Sequence, residues 1–435
     1  MERSAMYLPV CLLGATLALA NPTQSLASGP DLTWEQLPAH LEAAEAAGFS
    51  GAALVIRDGE VVLDRGYGLA DREHEIPCTP DTIFAIGSTP IDFTRAAILL
   101  LAQEGKLTLD EKLPAFFGER VPADKRQITI THLMSGASGL QDFLGLPTDR
   151  DPDHFWIDRA EAVRRILGQE LLFEPGTGNE HSHAAWGLLA AIVELRSGKS
   201  YPDFTKQRLF GPAGMASTEF FGVELPDERV AVGYGFRTTG EVNKPPHWGP
   251  TSWLVMGSGG MVSTTRDMDR WFRALRAGKI LSPEFLARYW SPPGAVLDGG
   301  DMWGFEILYT EGPDTYMFVV SNSVGPDTMD AFAGVAEPIA ELCLTEARPP
   351  FTLGLELEFQ PPQSLVVASV TPGGPAAAAG IRAGDVIVGA DGSSIWPDPM
   401  AALGPALNGG ATLLLELRRG EEHLTIELEP ARRSE

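Results

Sequence analysis

At 435 residues, with 44% hydrophobic and 21% charged residues, the chain holds material for two or three packed domains, which excludes wholesale disorder. A formal net charge of -25 at pH 7 excludes nucleic acid and anionic membrane surfaces as partners, because both would repel it. The three cysteines stand in no Cys/His ligand spacing, so neither a structural metal nor a cofactor is expected.

In chain order, residues 1–20 read as a secretory signal, with Arg3, an apolar run over 5–19 and Ala18-Leu19-Ala20 as a small-x-small cleavage site. Cys11 falls inside that apolar run, as signal core. An exported protein, periplasmic or secreted, is expected, and no later segment reads as a membrane span. Residues 21–31 form a polar leader. Thr33 and Gln36 have capping-box spacing for a helix that ends near Gly48. Strands over 52–57 and 61–65 flank Asp58-Gly59, a hairpin signal. Phe84-Ala85-Ile86-Gly87-Ser88-Thr89-Pro90-Ile91 leads into an apolar helix over 93–103, closed by Gly105. Ser88 before Thr89-Pro90 also reads as a helix N-cap, a role that needs no chemistry. Cys78 and Cys343 are expected to be two independent buried thiols.

Further on come Ile128-Thr129-Ile130-Thr131-His132-Leu133-Met134-Ser135, then Ser138-Gly139-Leu140, and Phe173-Glu174-Pro175-Gly176-Thr177. A helix over 184–196, Phe210-Gly211-Pro212-Ala213-Gly214-Met215, Gly259-Gly260-Met261-Val262-Ser263-Thr264 and Arg266-Asp267-Met268 follow. Taken in this order with the Ser88 box, residues 32–346 resemble the serine β-lactamase and penicillin-binding-protein superfamily, in its class C β-lactamase, D-aminopeptidase and esterase branch. The resemblance implies an α+β fold: an antiparallel sheet flanked by helices, an all-helical region, and a site between the two.

After the Pro-marked junction 347–350, residues 351–435 resemble a small β-rich PDZ domain. Leu353-Gly354-Leu355 matches its carboxylate-binding loop. A strand over 366–370, a short helix from Pro375 and the run Ala383-Gly384-Asp385-Val386-Ile387 continue the match. The resemblance implies capture of an extended peptide or a protein C-terminus by strand addition; packing against the first domain is the other reading.

Within the superfamily pattern the nucleophile Ser is followed at i+3 by Lys, one helical turn away, so that the amine takes the hydroxyl proton. Position 91 is Ile. The second box, Tyr-x-Asn, reads His181-Ser182-His183. An imidazole, titrating near ~6.5 where a phenol titrates near ~10, is a plausible base at neutral pH. Ser88 with His181 as base is therefore one expectation, with His183 or Asp92 as the orienting group. His181 and His183 are also readable as ordinary polar residues, or as two ligands of an ion for which no third ligand announces itself. The third box, Lys/His-Thr-Gly, reads as degraded between Trp303-Gly304-Phe305 and Val319-Val320-Ser321-Asn322, with part of a strand missing. If Tyr309-Thr310-Glu311 is its remnant, Glu311 stands where the family has Gly; in either alignment the oxyanion hole needs a second donor. Arg95 is expected to pair with Asp92.

Two functions follow. The first is a low-activity or non-catalytic binding protein, its main cleft holding a peptidoglycan-like or ester ligand and its PDZ-like tail a peptide. The alternative is an active serine hydrolase on esters or small peptides, using Ser88 with His181.

Overall fold

The computed structural model describes residues 32–142, 155–235, 242–289, 296–300, 304–310, 315–325, 328–347, 351–360, 364–395, 402–403, 406–407 and 410–432. The expected signal, the leader, Glu311 and most of the junction lie outside them.

The hairpin forms as its turn residues dictate. Strands Gly51–Arg57 and Glu60–Tyr67 pair antiparallel around Asp58 at φ 49° and Gly59 at φ 78°, two successive left-handed residues. They belong to a five-stranded antiparallel sheet, in the order Glu60–Tyr67, Gly51–Arg57, Tyr316–Ser321, Glu306–Thr310, Val296–Gly300. Side-chain alternation along the central strands feeds two cores. Ala52, Leu54, Ile56, Phe318 and Val320 face the large core shared with the helices of the site. Ala53, Val55, Met317 and Val319 face a smaller one, closed by helices Leu37–Ala46 and Met329–Ala347. With both faces covered, Gly51–Arg57 is buried along nearly its whole length.

The first helix starts later than its capping box implies. Thr33 N–H donates to Gln36 Oε1 at 3.0 Å, but the helix begins at Leu37. The helix after Ser88 spans Pro90–Gln103, and its N-cap is Thr89, not Ser88. Its buried residues include Ile91, Phe93, Ala96, Ala97, Ile98, Leu99, Leu100 and Leu101, which lie on all sides of the helix, so the helix runs through the large core. Helix His183–Ser197 packs beside it and ends at Gly198 in the left-handed region. Cys78 and Cys343 are buried free thiols; burial is the main force that pushes Cys78 up to about 12.

Between Phe305 and Val319 the structure has strand Glu306–Thr310 and the start of Tyr316–Ser321, and a further strand precedes that interval. Val296–Gly300 pairs with Glu306–Thr310 at the sheet edge, so the sheet is complete on that side.

The C-terminal segment builds its own core around Leu353, Val367, Ile387, Leu415 and Leu417. Its sheet runs Leu355–Gln360, Ser364–Val370, Val386–Ala390, Leu413–Arg419, Glu422–Leu428, with Ser393–Ser394 off the path. Arg419 Nε and Nη2 donate to the two oxygens of Asp385, each at 2.7 Å, locking the turn before Val386. Among the described residues no helix is long and apolar enough to cross a membrane.

Candidate active site

Ser88 sits in the turn between strand Phe84–Ala85 and helix Pro90–Gln103, and it is half-buried, so its hydroxyl stays reachable. Gly87, at φ 46°, makes that turn possible. Ile91, where the superfamily pattern has Lys, is 5% exposed and belongs to the large core. The two buried lysines are engaged elsewhere: Lys125 with Asp124 at 2.6 Å, and Lys244 with Asp227 at 3.0 Å and Asp71 at 3.6 Å.

The hydroxyl finds a different partner. Ser88 Oγ lies 3.3 Å from Nε2 of His183, and His183 Nδ1 lies 2.7 Å from Asp142 Oδ1. The base expected at His181 is therefore displaced by two residues: the structure sets His183, not His181, against the serine. The orienting carboxylate is Asp142, a residue that sequence reasoning missed. Asp92, the other orienting candidate, faces away, accepting the Tyr309 hydroxyl at 2.8 Å and lying 3.3 Å from Arg95. Arg95 thus pairs with Asp92 as its spacing implies.

Local structure fixes this arrangement. Ser182 is extended, at φ -148° and ψ 108°, and its hydroxyl accepts the Ala185 N–H as the helix N-cap. The same hydroxyl donates to the Gln141 carbonyl at 2.7 Å, while Asp142 accepts the His183 backbone N–H at 2.9 Å. The segment 141–142 is thereby sewn to the first turn of helix His183–Ser197, where the helix dipole favours a carboxylate. Burial alone would raise the Asp142 pKa. The ring hydrogen bond from His183, the charge of that ring, its backbone hydrogen bond and the charge of His181 together outweigh it and hold the carboxyl below its usual value. An ionised Asp142 accepts from Nδ1 of His183, and in the neutral imidazole Nε2 is then the acceptor that faces Ser88.

His181 lies edge-on to His183, with ring centroids 4.7 Å apart. Burial, then the neighbouring His183, push its imidazole down to about 4, against the pull of Asp142. Its Nε2 is buried without a hydrogen-bond partner among the described residues.

The third box is not at Tyr309-Thr310-Glu311. Thr310 hydroxyl accepts the Met317 N–H at 3.1 Å, inside the sheet, and Tyr309 serves Asp92. The strand beside the nucleophile is Val296–Gly300. A Cβ added to Gly299 would stand 2.7 Å from the Ser88 backbone nitrogen, and one added to Gly87 would stand 2.6 Å from the Gly299 carbonyl carbon. Two glycines thus let strand and nucleophile turn meet backbone to backbone. Asp298-Gly299-Gly300 was the sequence signal for this approach.

In the tail, Leu353 is buried and Gly354 is at φ 69°; Gly354 N–H donates to Thr352 Oγ1 at 3.0 Å. That N–H of the expected carboxylate loop is therefore already in use. Leu355 opens strand Leu355–Gln360, which stands at the end of the sheet order.

The beta-lactamase family model matches residues 38–332, and a PDZ domain model matches residues 366–419. The chain is 29% identical over 271 residues to penicillin-binding protein 4* of Bacillus subtilis (strain 168), covering 59% of this chain and 59% of that protein. It therefore spans less than two thirds of that relative. Among solved structures, a D-amino acid amidase from Ochrobactrum anthropi SV3 superposes with TM-score 0.58 at 26% identity, over 72% of this chain and 97% of its own. FmtA from Staphylococcus aureus superposes with TM-score 0.59 at 18% identity, over 71% of this chain and 87% of its own, a likeness of fold. The chain belongs to the beta-lactamase family of serine-hydrolase-like proteins, and it carries a PDZ domain in its C-terminal part.

Proposed function

We propose that the protein is an acyl hydrolase in which Ser88, His183 and Asp142 replace the Ser–Lys pair of its family. One observation carries the reading: Ser88 Oγ, His183 and Asp142 are joined in series, at 3.3 Å and 2.7 Å through opposite nitrogens of one ring. Ser88 attacks an acyl carbonyl while His183 Nε2 takes the hydroxyl proton. As the bond from Ser88 Oγ to the acyl carbon forms, Asp142 stabilises the imidazolium, which then returns that proton to the leaving alcohol or amine as the acyl carbon's bond to that group breaks. Water then releases the acyl group by the same route. The close approach of Gly299 to the Ser88 backbone supports a backbone N–H of this strand as the second oxyanion donor beside that of Ser88.

Esters and small amides are the substrates this site suits. An imidazole base and a D-amino acid amidase of the same fold support that class. The weaker reading, a binding protein without turnover, draws on the core position of Ile91. In either reading the PDZ domain takes an extended peptide along Leu355–Gln360.

A fluorophosphonate probe decides between turnover and binding alone. A covalent mass increase on Ser88, lost in Ser88→Ala and in His183→Ala but kept in His181→Ala, is the expected result. A folded wild-type chain that takes no label and hydrolyses no chromogenic ester would remove the hydrolase reading.

A further inference from the structure

We propose that Asp142, His181 and His183 also form a site for a divalent transition-metal ion of the zinc class, and that a bound ion and the serine chemistry exclude each other. One ligand atom of each residue lies within 4.8 Å of the other two. Two imidazole nitrogens and one carboxylate oxygen are a donor set that zinc takes with three protein ligands, leaving a fourth position for water. Calcium or magnesium would demand more oxygens than the cluster offers.

His181 supplies the independent sign. It is 7% exposed, and its Nε2 meets no hydrogen-bond partner among the described residues. Buried polar atoms are nearly always satisfied, so an orphan of this kind in a cluster of ligands calls for an explanation. A cation held against the Asp142 carboxylate would supply the missing partner. The scaffold is already rigid: the Ser182 cap fixes the backbone between the two rings, and its bond to Gln141 fixes the segment that carries Asp142.

Exclusion follows from the valence of His183. Its Nδ1 is committed to Asp142 and its Nε2 to Ser88. Whichever nitrogen takes the ion, one of the two links in the series is lost. Binding of the ion stands by itself; its effect on the serine rests on the hydrolase reading above.

The test uses the full-length chain without a histidine tag. After equilibrium dialysis against Zn²⁺, metal content is measured, and Co²⁺ is added separately to read its visible absorption. One ion per chain and the d–d bands of four-coordinate Co²⁺ are expected. His181→Ala and His181→Asn, each with an unchanged circular dichroism spectrum, should weaken binding by more than about the tenfold that even outer-shell changes cause. Saturating Zn²⁺ should suppress fluorophosphonate labelling of Ser88, and a chelator should restore it. No retained ion, or equal affinity in both His181 variants, overturns the site. Labelling that persists under saturating Zn²⁺ overturns the exclusion, whereas ion binding in a chain that never labels overturns the hydrolase reading and leaves the site standing.

Discussion

At Asp142 a carboxylate outside every recognisable box lies 2.7 Å from His183 Nδ1, the ring that faces Ser88, and takes the orienting role in the proposed chemistry. Its substitution is the sharpest probe of the proposed chemistry, because Asn keeps the shape and removes the charge that selects the His183 tautomer. Asp142→Asn should lower kcat on a chromogenic ester by about 10³- to 10⁴-fold while KM changes little, as expected when a triad loses its correct tautomer. A rate within a few-fold of wild type would show that Asp142 orients nothing. Ser88 was legible from its box, since Gly87-Ser88 and the helix after it are local features. Choosing between His181 and His183 was not. Residues two apart in an extended step share one side of the chain, and which ring meets Ser88 depends on how helix His183–Ser197 docks on Pro90–Gln103. Asp142 had no local signature beyond its place just after Ser138-Gly139-Leu140. That His181 Nε2 is buried without a hydrogen-bond partner among the described residues has no sequence signature at all.

Among the elements, the hairpin at Asp58-Gly59, the helix after Ser88 and the helix closed by Gly198 follow from turn chemistry and apolar spacing within a few residues. Strand Val296–Gly300 could not be read that way. Asp298-Gly299-Gly300 offers neither β-branched side chains nor alternation, and it is held by pairing with Glu306–Thr310 instead. Its worth lies in having no side chain at the point of contact. Gly299→Ala would place a methyl 2.7 Å from the Ser88 nitrogen, which forces the strand outward. Fluorophosphonate labelling should slow by about 10²- to 10³-fold, the scale of losing one oxyanion donor. Thermal unfolding should report a loss of about 1–3 kcal/mol from overpacking. Labelling at the wild-type rate would mean that this strand takes no part in the site.

For the whole molecule, the family and the two-part organisation were legible because ordered motifs and the Ala383-Gly384-Asp385-Val386-Ile387 run survive even where the catalytic boxes have changed. The C-terminal core shares no residue with either core of the larger part. Two separable activities follow. A chain ending at residue 347 should still label at Ser88 within about twofold of the full chain, since distant and unshared sites act additively. Peptides selected on the full chain from a displayed library should no longer bind the shortened one. A shortened chain that stays folded but no longer labels would make the tail part of the hydrolase site.

The pairing of Gly51 with Ser321 sets a limit on how this protein comes into being. Strand Gly51–Arg57 leaves the ribosome early, apolar on both sides, and its neighbour Tyr316–Ser321 emerges only after most of the polypeptide has been made. Until then, the Asp58-Gly59 hairpin pairs one edge of it and helix Leu37–Ala46 covers one face, while the edge that Tyr316–Ser321 takes stays open. Such a long-range ladder folds slowly and exposes a sticky edge to other nascent chains. Biogenesis, more than the finished structure, is thus the stage at which this molecule is most vulnerable to aggregation.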